Sequence, residues 1–242
     1  RLLAYSETFI ADQGSHLPTC QAIFTGYNKD PSGIHLLDGK PISLLSDHTF
    51  NVTLAKLRIR SHLGFNRAWL QELQQHSPFL IHAHFGPDGH DALRIKEKLD
   101  IPLITTFHGV DITANADSAR HQKQRQQVFR QADAIIATSE SYLATSASLQ
   151  DFPDKCHVVP LGLDAERFLR RAEVPELATE SADGPFQVLA IGRLTYYKGF
   201  GFLIRATAML EDAELHIVGE GSLRDELWKL AKELEVEDRV HF

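Results

Sequence analysis

The chain has 242 residues, 43% of them hydrophobic, and a formal net charge of -7, a globular composition long enough for one large domain or two of ordinary size. The acidic balance argues against general affinity for nucleic acid, and no apolar run approaches the ~20 residues of a membrane span. The two cysteines, Cys20 and Cys156, lie far apart and suggest neither a disulfide framework nor a metal-type spacing.

The opening stretch RLLAYSETFI lacks the long apolar core of a signal peptide, so the expected location is the cytoplasm. Ser6 is placed to cap a helix through ETFIADQGSHL, and the strand expected before that helix is not found. QAIFTG (21–26) reads as a strand, and GIHLL and PISLL as two short ones. VTLAKLRIRSHLGFNRAWLQELQQ (52–75) reads mostly as helix, because Leu54, Leu57, Leu63, Leu70 and Leu73 recur at roughly helical spacing. The strands FLIHAHF (79–85), PLITTFH (102–108), DAIIATS (133–139) and CHVVPLG (156–162) follow. Helices in DGHDALRIKEKLD, SARHQKQRQQVFRQA and ESYLATSASLQ separate them. Short runs rich in Ile, Val and Leu are expected where helices cover both sheet faces, and the alternation predicts an α/β chain with a parallel doubly wound sheet.

The segment RFLRRAEVPELATESADGP (167–185) breaks the rhythm and reads as a linker. The alternation then restarts with strand 186–192, a helix from about 199 to 210, strand ELHIVG (214–219), helix SLRDELWKLAKELEV and the beginning of a strand in DRVHF. The expected organisation is a first domain over 1–166, a linker over 167–185 and the start of a second doubly wound domain over 186–242. Two complete strands are too few to close that domain, so the chain is read as truncated at both ends.

In an open parallel sheet, ligands bind outside the carboxyl ends of the strands. That rule selects His82, His84 and FGPDGHD; His108, Gly109 and Asp111; Ser139 and Glu140; Gly162 and Asp164; Arg193 and Lys198; and Gly219, Glu220 and Gly221. Arg193 and Lys198 in IGRLTYYKGF put a fixed guanidinium and a mobile ammonium beside a helix N-terminus, which suits adjacent phosphates. Gly192 and Gly199 would let backbone approach such a ligand closely. The Gly-x-Gly of GEGSLRDEL fails as a dinucleotide fingerprint because Arg224 takes the third glycine position, and a tight turn explains it equally well. His82, His84, Asp88, His90 and Asp91 offer metal ligands to a hydrolase, but without the tight spacing of such sites. Alternation puts His82 and His84 on one strand face, where one of them can be hydrogen-bonded in the core. His108, beside Gly109, can hydrogen-bond a sugar or accept a proton; a structural capping role is the alternative.

Two stretches carry bases and no acid: Lys56, Arg58, Arg60 and Arg67, then Arg120, Lys123, Arg125 and Arg130. They are either solvated helix faces or a basic face for anionic lipid or phosphate.

Taken together, SETFIADQ, HAHFGPDG, PLITTFHGVDI, DAIIATSES, VVPLGLDAERF, IGRLTYYKGFGFLI, LHIVGEGSLRDEL and DRVHF resemble glycosyltransferase family 4, the retaining enzymes of the GT-B fold. The segments stand in the family's order and cover nearly the whole chain; GRL…KG followed by VGEG…R is the most specific pair. The nearest resemblance is to bacterial enzymes that build exopolysaccharide or lipopolysaccharide. It implies two Rossmann-like domains facing across a cleft and transfer of a hexose from a UDP- or GDP-linked sugar to a saccharide or lipid-linked acceptor, without metal or other cofactor. By the match, Gly192, Arg193, Lys198 and Gly199 hold the donor diphosphate, and His108 reaches the transferred sugar. Gly109, Asp111, Gly219, Glu220 and Gly221 line the donor side, and Glu7 and His84 the acceptor side. The family's Glu-x7-Glu motif is not in the sequence, so the stretch by itself is expected to bind donor weakly and transfer little. A non-catalytic remnant of the same fold, or a metal-dependent hydrolase using His82, His84 and His90, are the alternatives. The expected location is cytoplasmic, with peripheral contact to anionic lipid at the inner membrane face.

Overall fold

The computed structural model describes residues 2–4, 6–60, 66–109, 119–163, 165–169 and 184–242. The sequence expectations for Asp111, for Asp164 and for most of the 167–185 linker fall outside these residues. The chain divides into two compact units, Arg1–Leu169 and Arg170–Phe242.

In the first unit, helix α1 (Thr8–Ser15) leads to strands β1 (Phe24–Gly26) and β2 (Ile42–Leu44), and then to helices α2 (Val52–Arg60) and α3 (Arg67–Gln75). Strand β3 (Ile81–His84), helix α4 (Gly86–Leu99), strand β4 (Leu103–Phe107), helix α5 (Ala119–Gln131) and strand β5 (Ala134–Ala137) come next. Helices α6 (Glu140–Thr145) and α7 (Ala147–Gln150), strand β6 (Cys156–Val158) and helix α8 (Ala165–Leu169) complete the unit. Strands β3-β4-β5-β6 form one parallel sheet in that order. Its core is fully buried at Leu103, Phe107, Val128, Phe129 and Ile135, with the Phe107 and Phe129 rings 5.1 Å apart. In β4, Leu103, Thr105, Thr106 and Phe107 are all buried, as expected for a strand covered on both faces.

Several local expectations are corrected. GIHLL belongs to a 3-10 helix over Pro31–Leu37, because Pro31 follows Asp30, whose side chain accepts from the Ser32 N–H and favours a helical start. The 52–75 helix is two helices: the Asn66 side chain accepts from the Trp69 N–H at 3.0 Å and starts α3 afresh. ESYLATSASLQ breaks at Ser146, whose hydroxyl bonds back to the Tyr142 carbonyl at 2.6 Å. At α1 the N-cap is Glu7 rather than Ser6. A trace of pairing does precede α1, a parallel bridge between Leu2 and Lys29.

The single sheet expected for this unit is also divided. β1 and β2 pair with each other, apart from the four-stranded sheet. A cavity of about 660 Å³ lies against both β1 and β3 and is lined by Phe24 to Gly26, Ile81 to His84 and apolar side chains such as Ile10, Leu73 and Ile95.

The second unit holds strands β7 (Phe186–Ile191), β8 (Ala213–Val218) and β9 (Val240–His241), parallel and in that order, with helices α9 (Phe200–Ala208) and α10 (Arg224–Glu233) between them. Leu194, Ile204, Leu215, Ile217, Leu227 and Ala231 pack into one core, so both helices cover the same sheet face. On the opposite face Leu189, Ile191 and Val218 remain exposed.

Candidate functional site

In the second unit, β7 and β8 end in two loops that pack back to back. The Gly192 N–H donates to the Val218 carbonyl at 3.0 Å, the Leu194 N–H to the Glu220 carbonyl at 2.8 Å, and the Leu223 N–H to the Leu194 carbonyl at 3.1 Å. A Cβ on Gly219 would stand 1.9 Å from the Gly192 carbonyl oxygen, and one on Gly221 2.3 Å from that of Leu194. The Gly-x-Gly therefore does more than turn the chain. It lets two backbones touch, and so sets the loop that carries Arg193. A Cβ on Gly192 would meet the Phe200 ring at 3.4 Å and Lys198 Cδ at 4.0 Å.

Residues Tyr196–Lys198 form a 3-10 turn that ends at Gly199, whose left-handed backbone (φ 69°, ψ 19°) precedes α9. An Arg193 Nη donates to the Tyr197 hydroxyl at 2.5 Å, and its guanidinium carbon lies 5.9 Å from the Tyr197 ring centre. Lys198 Nζ is 5.6 Å from the same ring. All three side chains are exposed. Tyr197, absent from the sequence-derived candidates, thus joins the two cations. The available signal was an aromatic residue flanked by both of them in one loop.

In the first unit, the carboxyl ends of β3 and β4 bring together a group of rings. His82 and His84 share a face as alternation predicts, with ring centres 4.4 Å apart. His82 bonds to Thr106 Oγ1 at 2.7 Å, so it is the one tied into the sheet. His84 Nδ1 lies 3.1 Å from His108 Nε2, one donating and the other accepting. Phe9 and Phe85 flank His108, with ring centres at 4.8 and 4.6 Å. Burial first, and then the neighbouring imidazoles, push the pKa of His84 down to about 3. Burial and His82 lower that of His108 to about 4. Both rings are neutral at pH 7. His108 is therefore a hydrogen-bonding group and, with so low a pKa, a poor general base.

The other first-unit candidates have defined places. The Gly109 N–H donates to the Tyr142 hydroxyl at 3.1 Å, with φ 94° at the glycine. Ser139 caps α6 by accepting from the Tyr142 N–H. Glu7 Oε2 accepts from the Ala4 N–H at 2.7 Å, so this carboxylate closes a turn, and it lines the same cavity as His84. The hydrolase grouping is not assembled. His90 bonds instead to Gln127 on α5 at 2.9 Å, and Asp91 accepts from the Tyr27 hydroxyl at 2.6 Å. Among the described residues, the donor atoms of His82, His84 and His90 do not converge as a metal site.

The first of two family models, Glycosyltransferase Family 4, matches residues 36–167, more than half of the chain. The chain belongs to glycosyltransferase family 4. A second, Glycosyl transferases group 1, matches residues 177–242 and includes the Arg193–Lys198 loop. The chain is 28% identical over 164 residues to the putative colanic acid biosynthesis glycosyltransferase WcaL of Salmonella typhimurium, covering 65% of this chain and 39% of that protein. It is 28% identical over 183 residues to a glycogen synthase of Mycobacterium tuberculosis, covering 71% and 41%. The chain thus spans about two fifths of these relatives. The crystal structure of Anabaena HepE in complex with UDP superimposes with a TM-score of 0.67 at 18% identity, over 97% of this chain and 63% of that one. The family 4 chain thus has the GT-B type of fold, with its parallel sheets and covering helices.

Proposed function

We propose that the protein transfers a hexose from a UDP- or GDP-linked sugar to a saccharide or lipid-linked acceptor, with retention, in the synthesis of a cell-surface polysaccharide. The observation that carries this reading is the Arg193–Tyr197–Lys198 group at the end of β7, ahead of α9. Two cations beside a helix N-terminus match a diphosphate, and their field offsets the charge that develops on it as the sugar leaves. Tyr197 restrains the guanidinium, so less ordering remains to be done when the ligand arrives. Cations in this role need no metal. Neutral His108 would hydrogen-bond a hydroxyl of the transferred sugar, and the departing phosphate, on the same sugar face, would help take the acceptor proton.

WcaL, named for colanic acid biosynthesis, and the UDP complex of HepE support this substrate class. For acceptor recognition, Glu7 and His84 are the proposed contacts. Arg120, Lys123 and Arg130 are exposed along α5 and would meet anionic lipid at the inner membrane face. Arg125, which the sequence grouped with them, is buried and takes no part in that surface.

Calorimetric titration tests the donor site. UDP or GDP should bind at least tenfold more tightly than the matching monophosphate, and Arg193→Ala or Lys198→Ala should erase that preference. Unchanged diphosphate affinity in both variants would place the donor elsewhere.

A further inference from the structure

At the other end of the second unit's sheet lies a cluster that the donor site does not use. Glu214 and His216 stand two apart on β8 and so share a face, and His241 on β9 pairs in register with His216. His216 Nε2 is 3.9 Å and His241 Nε2 4.0 Å from Glu214 Oε2. Ligand atoms of all three residues lie within 4.8 Å of one another, and the two imidazole rings are centred 4.8 Å apart. Gln187, on β7, organises the group. Its Nε2 donates to Glu214 Oε2 at 2.9 Å, and its Oε1 is 2.7 Å from His216 Nε2.

We propose that Glu214, His216 and His241 bind a divalent transition-metal ion of the zinc type. Two imidazoles and one carboxylate select zinc, nickel, copper or cobalt over magnesium and calcium, which prefer oxygen ligands alone. With bonds of roughly 2.0–2.2 Å to nitrogen and oxygen, the ligand atoms must close by about an ångström, within reach of side-chain rotation on a solvent-facing sheet. On binding, His216 Nε2 exchanges its contact with Gln187 Oε1 for the ion, which frees that oxygen to accept from a water in an open coordination position. The side chains of Glu214, His216 and His241 are 32%, 43% and 45% exposed, so an ion can enter without opening the core. Because the ligands come from β8 and β9, the ion ties these two strands together. The site lies away from Arg193 and Lys198: Glu214 and His216 sit before the carboxyl end of β8, where the donor loops begin.

The test is titration of the untagged 242-residue chain with Co²⁺, read by its visible d–d absorption, with Zn²⁺ as competitor. One equivalent of Co²⁺ should bind and be displaced by Zn²⁺. His216→Ala and His241→Ala should each weaken binding tenfold or more, and Glu214→Gln should change the spectrum. Zn²⁺ should raise the unfolding midpoint of the parent chain and leave that of the His216→Ala/His241→Ala double variant unmoved. Circular dichroism checks that the variants remain folded. Absence of saturable binding overturns the proposal. So does binding that survives in the folded double variant, which would locate the ion at other histidines.

Discussion

The two units place their candidate residues in opposite electrostatic settings. In the first, the carboxyl ends of β3 and β4 hold half-buried imidazoles that stack on one another and pack against the tilted rings of Phe9 and Phe85. Loss of hydration and mutual repulsion keep them neutral. In the second, Arg193 and Lys198 are exposed and both lie near the Tyr197 ring, so their field is screened by salt. Packing sets the chemistry of the first group. Backbone geometry sets that of the second, through two glycines that let neighbouring loops touch.

The contrast is broken most severely by Gly219→Ala, where the new methyl meets a backbone carbonyl that no side-chain rotation can relieve. It should cost roughly 3 kcal/mol of second-unit stability, read in a denaturant titration, and leave the first unit's hydrogen-exchange protection unchanged. Arg193→Ala should weaken nucleoside-diphosphate binding about tenfold to a hundredfold with little effect on folding. Raising the salt should diminish the difference from the parent chain.

Acid sharpens the comparison from the other side. With folded pKa values of about 3 and 4, His84 and His108 stay neutral while the unfolded chain protonates near pH 6.5. The unfolded state then binds more protons, so stability falls as pH drops from about 6.5 towards 4. Discounted for partial solvent access, the loss at pH 5 should be about 1 kcal/mol. His84→Gln should remove part of this pH dependence; an identical profile in that variant would deny the imidazoles their role. The smallest effect is expected for Tyr197→Phe, which loses the hydroxyl held by Arg193 and keeps the ring. Diphosphate affinity should fall only about two- to fivefold, the equivalent of roughly 0.5–1 kcal/mol.

Periodicity located most strands and helices within a few residues, because in β4, for example, burial of Leu103, Thr105, Thr106 and Phe107 keeps the run free of charged residues. It misjudged GIHLL, where a proline and a capping aspartate outweighed apolar character. It also ran α2 and α3 together, since the leucine spacing continues past the cap at Asn66. The candidate cations and the His82–His84 pair were visible as residues at strand ends, and the resemblance of those segments named the family.

What the sequence determined by itself is the order of most strands and helices, the position of Arg193 and His108 just past strand ends and of Lys198 ahead of a helix, and family membership. These follow from local spacing and short motifs. Only the tertiary structure decided that Tyr197 joins the two cations, that Gly219 and Gly221 serve loop-to-loop contact, that Arg125 is interior, and that His90 turns to Gln127. It also decided that Glu214, His216 and His241, up to 27 positions apart, meet on one sheet face. The meeting of Glu214, His216 and His241 depends on which strand lies beside which and at what register, and a one-residue shift would turn the same side chains to the other face.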